Sequence, residues 1–267
     1  MDRPLYEISD LHLSLPDMTR KPLIGMAPRI EILRGLSFGI EKGEVLGIVG
    51  GSGSGKSTLG RAMVRLLQPT GGQIRFDGQD ITHLDEAALR PLRRRFQMIF
   101  QDPMSSLNPR RRVGGIIAGP LALHGFDRID ARVAEALDQV GLPRDFRRRY
   151  PHELSGGQRQ RVGIARAIAT RPDFILADEI VSGLDVSTQA QVLNLLARLV
   201  EELGLTLAFI SHDLSVVRRL CGRILVLDKG AVVESAAAAD LFASPQSDIT
   251  RALLDAIPLP DPAQPWG

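Results

Sequence analysis

Cysteine is almost missing from this chain of 267 residues: Cys221 stands alone. That excludes a disulfide framework and any cluster held by the chain's own cysteines, and it predicts a reducing compartment, with Cys221 as a small apolar filler. Aromatic residues make up only 4%, too few for a platform of stacked rings that would hold single-stranded nucleic acid. Lysine is scarce too, found only as Lys21, Lys42, Lys56 and Lys229, so arginine carries nearly all the positive charge behind a net of +2. The runs Arg93-Arg94-Arg95, Arg110-Arg111-Arg112 and Arg147-Arg148-Arg149 invite a nucleic-acid reading. Acids are mixed in throughout, however, and the runs predict a solvated or membrane-facing rim with no nucleic acid as partner. No apolar stretch approaches the length of a spanning helix, and the N-terminus lacks a charged-then-apolar signal pattern. The expectation is a chain that neither spans nor crosses a membrane. With 44% hydrophobic residues it can bury a full core, as one large domain or as a core with an inserted lobe.

What is present is a phosphate loop. Gly50-Gly51-Ser52-Gly53-Ser54-Gly55-Lys56-Ser57, followed by Thr58, fills every fixed position of the P-loop pattern. A strand-like run, Val45 to Val49, leads in, and a helix-like run from Thr58 to Leu67 leads out. The glycines let successive backbone N–H groups curl inward toward phosphate oxygens, and the helix adds its positive end. Lys56 then reaches the β- and γ-phosphates, and Ser57 offers a hydroxyl to Mg²⁺. ATP and Mg²⁺ are the expected cofactors.

Downstream, Leu154-Ser155-Gly156-Gly157-Gln158 opens a small-residue helix. Ser155 can cap that helix while the two glycines admit an anion, so the segment reads as a capping turn or as a second phosphate-binding helix start. Phe174-Ile175-Leu176-Ala177 is a buried-strand run ending in Asp178-Glu179, at the edge where parallel strands carry ligands. Leu207 to Ser211 is a second such run and delivers His212 to the same edge.

Together these segments resemble the ATPases of ABC transporters, and the likeness spans nearly the whole chain. The fold it implies is an α/β P-loop nucleotide-binding domain: a mainly parallel core sheet, an antiparallel β layer and an inserted helical subdomain. By that resemblance Asp178 is the Walker B aspartate on Mg²⁺, and Glu179 the carboxylate that polarises the attacking water. Gln101 is the Q-loop glutamine, at the metal and water site and coupled to the membrane partner. His212 is the switch histidine on the γ-phosphate. Ser155, Gly156, Gly157 and Gln158 form the signature motif that closes over the partner's ATP, and Asp185, in Ser182-Gly183-Leu184-Asp185, lies across the dimer interface. A soluble ABC ATPase working on nucleic acid or in translation is the alternative. Such proteins generally carry paired cassettes or long insertions, and this chain has one cassette and no coiled-coil heptads.

The segments Phe100 to Arg110, Leu184 to Gln189 and Thr250 to Pro258 are similar to those of the oligopeptide, dipeptide and nickel importer ATPases. This implies hydrolysis at the cytoplasmic face of the membrane, energising uptake of peptides or a related small solute. The implied partners are transmembrane permease subunits, a second ATPase subunit that is the same or a homologous chain, and, indirectly, an extracytoplasmic solute-binding protein. The subfamily's cysteine-containing extension is missing, and cluster binding is not expected. Three positions depart from the pattern: Leu15 stands where an aromatic residue usually stacks on adenine, Ile180 replaces a proline after Glu179, and Ser235 to Ala239 replaces a segment that usually carries glycine.

Along the chain, residues 5–49 and 72–81 alternate as strands of a β layer, residues 102–165 read as a helical insert, and residues 185–203 as an amphipathic helix stopped by Gly204. The expected domain therefore runs over 1–257, with a disordered proline-rich tail over 258–267.

Overall fold

The strands form two sheets that share one core. In the computed structural model, which describes residues 3–20, 25–102 and 106–256, β1 (Tyr6–Pro16), β2 (Arg29–Ile40), β4 (Gly71–Phe76) and β5 (Gln79–Asp80) form an antiparallel sheet in the order β2-β1-β4-β5. The second sheet contains β3 (Val45–Gly50), β6 (Phe96–Ile99), β7 (Phe174–Asp178), β8 (Thr206–Ile210), β9 (Arg223–Asp228) and β10 (Ala231–Ala237), in the order β10-β9-β3-β8-β7-β6. Its neighbours are parallel except for β10 on β9. Phe174 and Leu176 of β7 face the core between the sheets, while Ile175 and Ala177 face the helices on the other side. Burial on both faces is why these strands read as unbroken apolar runs.

Helix α1 (Lys56–Met63) sinks Leu59 and Met63 into the core between the sheets. It stops short of the expected Leu67, because Arg65 turns left-handed at φ 52° and buries its guanidinium against the carbonyls of Ile81 and Leu84. α2 (Glu86–Arg93) starts at the cap Asp85. The stretch read as helical from Asp102 has its first described helix of any length at α3 (Val113–Leu123), after a turn in which Asn108 accepts from the amide of Arg110. α4 (Ile129–Gln139) and α5 (Gly156–Ile168) follow; α5 packs on β6, while α3 and α4 pack on α5 and on each other and join the same apolar cluster. α6 (Val186–Leu203) begins at Asp185 and ends at Gly204, left-handed at φ 61°. Then come α7 (Leu214–Leu220), α8 (Ala238–Ala243) and α9 (Asp248–Asp255). The segment Ser235 to Ala239 closes β10 and opens α8, since Ser235 and Ala236 pair with Leu225 and Ile224. The proline-rich tail from Pro258 and the loop residues Pro103 to Ser105 lie outside the described residues.

The arginine runs lie at the surface, and several of their members also brace the fold from there. Arg95 joins Asp77 to Asp173 and lies over the Phe76 ring. Arg93 pairs with Glu86 and donates to the carbonyls of Val64 and Arg65. Arg149 and Arg112 stack on Phe146 and Tyr150. Planar guanidinium groups can bridge and stack where a lysine ammonium cannot. Among the described residues no helix is long and apolar enough to cross a membrane.

The packing of β3 on α7 leaves no room for a methyl group: a Cβ on Gly47 would stand 2.4 Å from Val217 Cγ1 and 3.2 Å from Cys221 Sγ. Gly47→Ala should lower stability by about 1–3 kcal/mol in urea unfolding. Combined with Val217→Ala it should cost less than the sum of the two single changes. Strict additivity would contradict this packing.

Candidate nucleotide site

The site is assembled where β3, β7 and β8 end side by side. β3 stops at Gly50, φ 155°, where a Cβ would lie 2.2 Å from the Leu227 carbonyl oxygen. Only glycine fits. Gly53 and Gly55 follow at φ 76° and 102°, so the chain curls and α1 starts without a capping side chain. Its first amides therefore have no side-chain acceptor and suit an anion.

Lys56 is buried, and its Nζ donates to the carbonyls of Gly50 and Gly51 at 2.9 Å each. Burial pushes its pKa down, opposed by the carboxylates of Glu179 and Asp178. Ser57 Oγ donates to Asp178 Oδ1 at 2.9 Å. Asp178 is itself buried, which raises its pKa against the pull of the Ser57 hydrogen bond and of Arg61.

Glu179 takes a left-handed backbone, φ 48°, rare for a residue with a side chain. Its amide donates to the Ile210 carbonyl, and its own carbonyl accepts from the Ser182 amide and hydroxyl. The next residue, Ile180, is buried in the helical-side core, so packing holds this backbone where a proline was expected. Two side chains converge on the Glu179 carboxylate: Gln101 Nε2 at 3.0 Å from Oε2, and His212 Nδ1 at 3.6 Å from Oε1. A cleft of about 370 Å³ opens between the loop and these groups, lined by Ser52, Gly53, Gly55, Lys56, Ser57, Thr58, Gln101, Glu179 and Ile32.

The remaining candidates lie elsewhere on the chain. Leu15 sits on β1 opposite Ile30 and is not among the cleft-lining residues. Ser155 caps α5, accepting from the Gln158 amide, while Gln158 Oε1 accepts from the Ser155 amide in return. A Cβ on Gly157 would strike Thr188 Cγ2 at 2.6 Å. Asp185 caps α6 through the amide and hydroxyl of Thr188. These residues, the signature segment and Asp185, do not line the cleft of their own chain. Ile32 and Ser182, which does contact Gln101 at 3.4 Å, were not singled out as site residues. A β-bulge aims Ile32 and a turn aims Ser182, and neither leaves a pattern in the sequence.

Comparison with known proteins agrees with this geometry. The family profile described as ABC transporter matches residues 33–182. A Brucella ovis protein carrying the provisional name of a peptide import ATP-binding protein is 52% identical over 92% of this chain and 81% of its own length. The oligopeptide transport ATP-binding protein AppF of Bacillus subtilis is 51% identical over 86% of this chain and 71% of its own. The glutathione import ATP-binding protein GsiA of Pectobacterium atrosepticum is 46% identical over 98% of this chain, which spans 42% of that longer protein. Among solved structures, the dimeric ATP-binding cassette MJ0796 in a post-hydrolysis state with ADP and Pi superposes with a TM-score of 0.76 at 31% identity, covering 87% of this chain and 98% of that one. This chain belongs to the ABC transporter family, has the fold of its ATP-binding cassettes, and is an ATPase.

A buried carboxylate with a raised pKa lowers stability wherever it is ionised, and the cost disappears as pH falls through its folded pKa. Asp178→Asn should therefore melt at a higher temperature than the parent at neutral pH, with the gain shrinking toward acid. An equal or lower melting temperature across that range would show that burial does not set the cost.

Proposed function

We propose that this chain is the ATP-hydrolysing subunit of an importer for peptides or a related small solute, acting at the cytoplasmic face of the membrane. The observation that best supports this is the meeting of Gln101 and His212 on Glu179 beside the Lys56–Ser57 cleft, in a chain whose relatives are named for peptide, oligopeptide and glutathione import. The same names disfavour a soluble ABC ATPase working on nucleic acid or in translation.

In this reading Lys56 and the amides from Gly51 to Thr58 hold the phosphates. Ser57 and Asp178, hydrogen-bonded to each other, are oxygen donors suited to a hard cation, with Gln101 as the third. Among the described residues no group of three His, Cys, Asp or Glu could hold a metal by itself, which suits an ion completed by phosphate oxygens. Mg²⁺ bound there would neutralise charge on the β- and γ-phosphates. Glu179 orients the attacking water and accepts its proton, Gln101 fixes that carboxylate from one side, and His212 contacts the γ-phosphate from the other.

The second cassette, a further copy or a homologous chain, contributes its Ser155, Gly156, Gly157 and Gln158 to the site facing Lys56, with Asp185 at the same interface. Residues 102–165 act as an inserted lobe within a domain over 1–257. The permease docks on a groove of about 360 Å³ lined by Leu66, Phe96, Phe100, Pro120, Leu123 and Arg166. Leu66 and Leu123 are 50% and 58% exposed there, and Phe100 is the neighbour of Gln101. A solute-binding protein acts through the permease.

Lys56→Ala should lose most nucleotide binding, whereas Glu179→Gln should keep it and lose turnover, because one group holds phosphate and the other acts on water. Binding and phosphate release measured on both variants decide this. Near-normal turnover in Glu179→Gln would remove Glu179 from its role.

A Lys56→Ala chain and a Ser155→Arg chain should each be inactive, yet recover some hydrolysis when mixed, since a mixed pair puts both lesions in one site. Cysteines introduced at Ser54 and Gly156 should crosslink between chains when ATP is added; Gly157 is avoided because of Thr188. Crosslinks confined to single chains would rule out the shared site.

A further inference from the structure

Two arginine runs that are far apart in the sequence, Arg110 to Arg112 and Arg147 to Arg149, meet in the fold. The Val113 amide, at the start of α3, donates to the Arg149 carbonyl at 2.9 Å. The short 3₁₀ turn Arg144–Arg148 lies against the first turn of α3. There a Cβ on Gly114 would stand 3.0 Å from the Arg147 carbonyl oxygen and 3.2 Å from its Cβ. Arg111 lies along the same helix, its Nε 3.9 Å from where a Gly115 Cβ would be and its Nη1 3.7 Å from where one on Gly119 would be. Glycines thus let both runs settle close to the backbone of α3, and a side chain at Gly114 would push them apart.

Little in the chain answers this charge. Arg144 pairs with Asp138, Arg149 approaches Asp145, and Arg112 donates to the Tyr150 hydroxyl. Among the described residues the side chains of Arg110, Arg111, Arg147 and Arg148 have neither an ion pair nor a hydrogen bond, and all four residues are exposed. Like charges gathered on one surface repel, and that cost is offset only when an anion from outside arrives. Guanidinium forks match phosphate oxygens in bidentate fashion. A nucleic acid would want rings to stack on, but Tyr150 already stacks on His152 under Arg112, and Phe146 lies under Arg149. None of the exposed large apolar side chains among the described residues belongs to either run. Spread cations without a ring or an apolar anchor suit a plane of phosphates, as at an anionic bilayer surface. The other end of α3 carries Pro120 and Leu123, which line the groove assigned above to the permease, so a permease seated there would bring the patch alongside its bilayer.

We propose that Arg110, Arg111, Arg147 and Arg148 form a binding surface for anionic phospholipid headgroups, which holds the subunit to the bilayer in addition to the permease. This rests on the reading that the chain works at the cytoplasmic face of a membrane. The full chain, without permease, should sediment with phosphatidylcholine vesicles that contain about 30% phosphatidylglycerol and not with phosphatidylcholine alone. Raising salt from about 0.05 to 0.5 M should release it. Arg111→Gln with Arg147→Gln should weaken vesicle binding about twenty- to thirtyfold, at about fivefold per arginine, and leave phosphate release from ATP unchanged, since neither residue lines the cleft. Arg218→Gln with Arg219→Gln, an exposed pair on α7, should leave vesicle binding as it is. If the first pair does not fold, Arg110→Gln with Arg148→Gln decides by the same figure. Equal binding to both kinds of vesicle, no binding to either, or an equal loss in the α7 pair overturns the proposal. If poly-glutamate binds the patch while phosphatidylglycerol vesicles do not, the partner is an acidic protein and the lipid surface is refuted. Free inorganic phosphate at the same phosphate concentration should not compete; equal competition marks a single-anion site and also refutes it. Recovery of a permease with the chain from detergent-solubilised membranes tests the importer reading separately, because detergent removes the bilayer. A permease recovered with a chain that ignores vesicles sinks the lipid surface alone.

Discussion

Parallel register is the constraint from which the rest of the site follows. Ile48 of β3 and Asp178 of β7 both pair with Ile210 of β8, and Ile99 of β6 pairs with Ala177. With the strands held in step, their next residues must emerge together at one edge: Gly50 and the phosphate loop, Asp178 and Glu179, Ser211 and His212, and Gln101 two residues beyond Ile99. None of these groups is a sequence neighbour of the others. A slip of one residue in β7 would turn Asp178 toward the opposite face and bring Ala177 or Glu179 to Ser57. The packing of the two faces opposes that slip, because it would exchange Phe174 and Leu176 with Ile175 and Ala177, side chains of different size, between two packed cores.

Desolvation at this edge raises the cost of the charges on Lys56 and Asp178. Lys56 and Asp178 are both shifted toward their neutral forms by burial, and each is held charged in part by the other. Such opposed shifts belong to groups that gain from an incoming ligand of complementary charge. Phosphate oxygens would relieve the lysine, and a cation would relieve the aspartate. The left-handed Glu179 fits the same logic: its backbone is held by Ile210, Ser182 and buried Ile180, so its carboxylate is positioned independently of its own conformational preference.

Much of this was legible in the sequence because motif residues have local causes. A phosphate loop needs glycines at left-handed positions, and a buried parallel strand needs an unbroken apolar run; both left direct traces at Gly50–Ser57 and Phe174–Asp178. Less legible was anything set by long-range geometry. The bulge that aims Ile32 depends on how β1 and β2 skip a pairing, and Leu15, nearer to the pattern, ended opposite Ile30 instead. The arginine triplets are surface charge, as they read, but composition cannot reveal that Arg95 has Asp77 on one side and Asp173 on the other. The end of α1 was overrun for a similar reason: the carbonyls that take up Arg65 come from Ile81 and Leu84, in a segment that is close only after folding.

Glycine in the Leu154–Gln158 segment illustrates how one residue type can answer two demands. A second phosphate-binding helix start calls for glycines that let backbone amides approach an anion. Gly157 is also required by its neighbour, since a side chain there would collide with Thr188, and Thr188 is tied to the cap Asp185 at the start of α6. The start of α5 and the start of α6 are therefore packed as one unit, with Leu184 beside Gly156 completing the contact. Two segments that sequence reading treats as separate motifs at a dimer interface thus form a single surface on this chain. The turn at Ser182 ties that surface back to Glu179, whose carbonyl it caps and whose Gln101 partner it also contacts. The start of α5 is thus linked to the Glu179 carboxylate by a chain of packing contacts and hydrogen bonds that does not pass through the sheet.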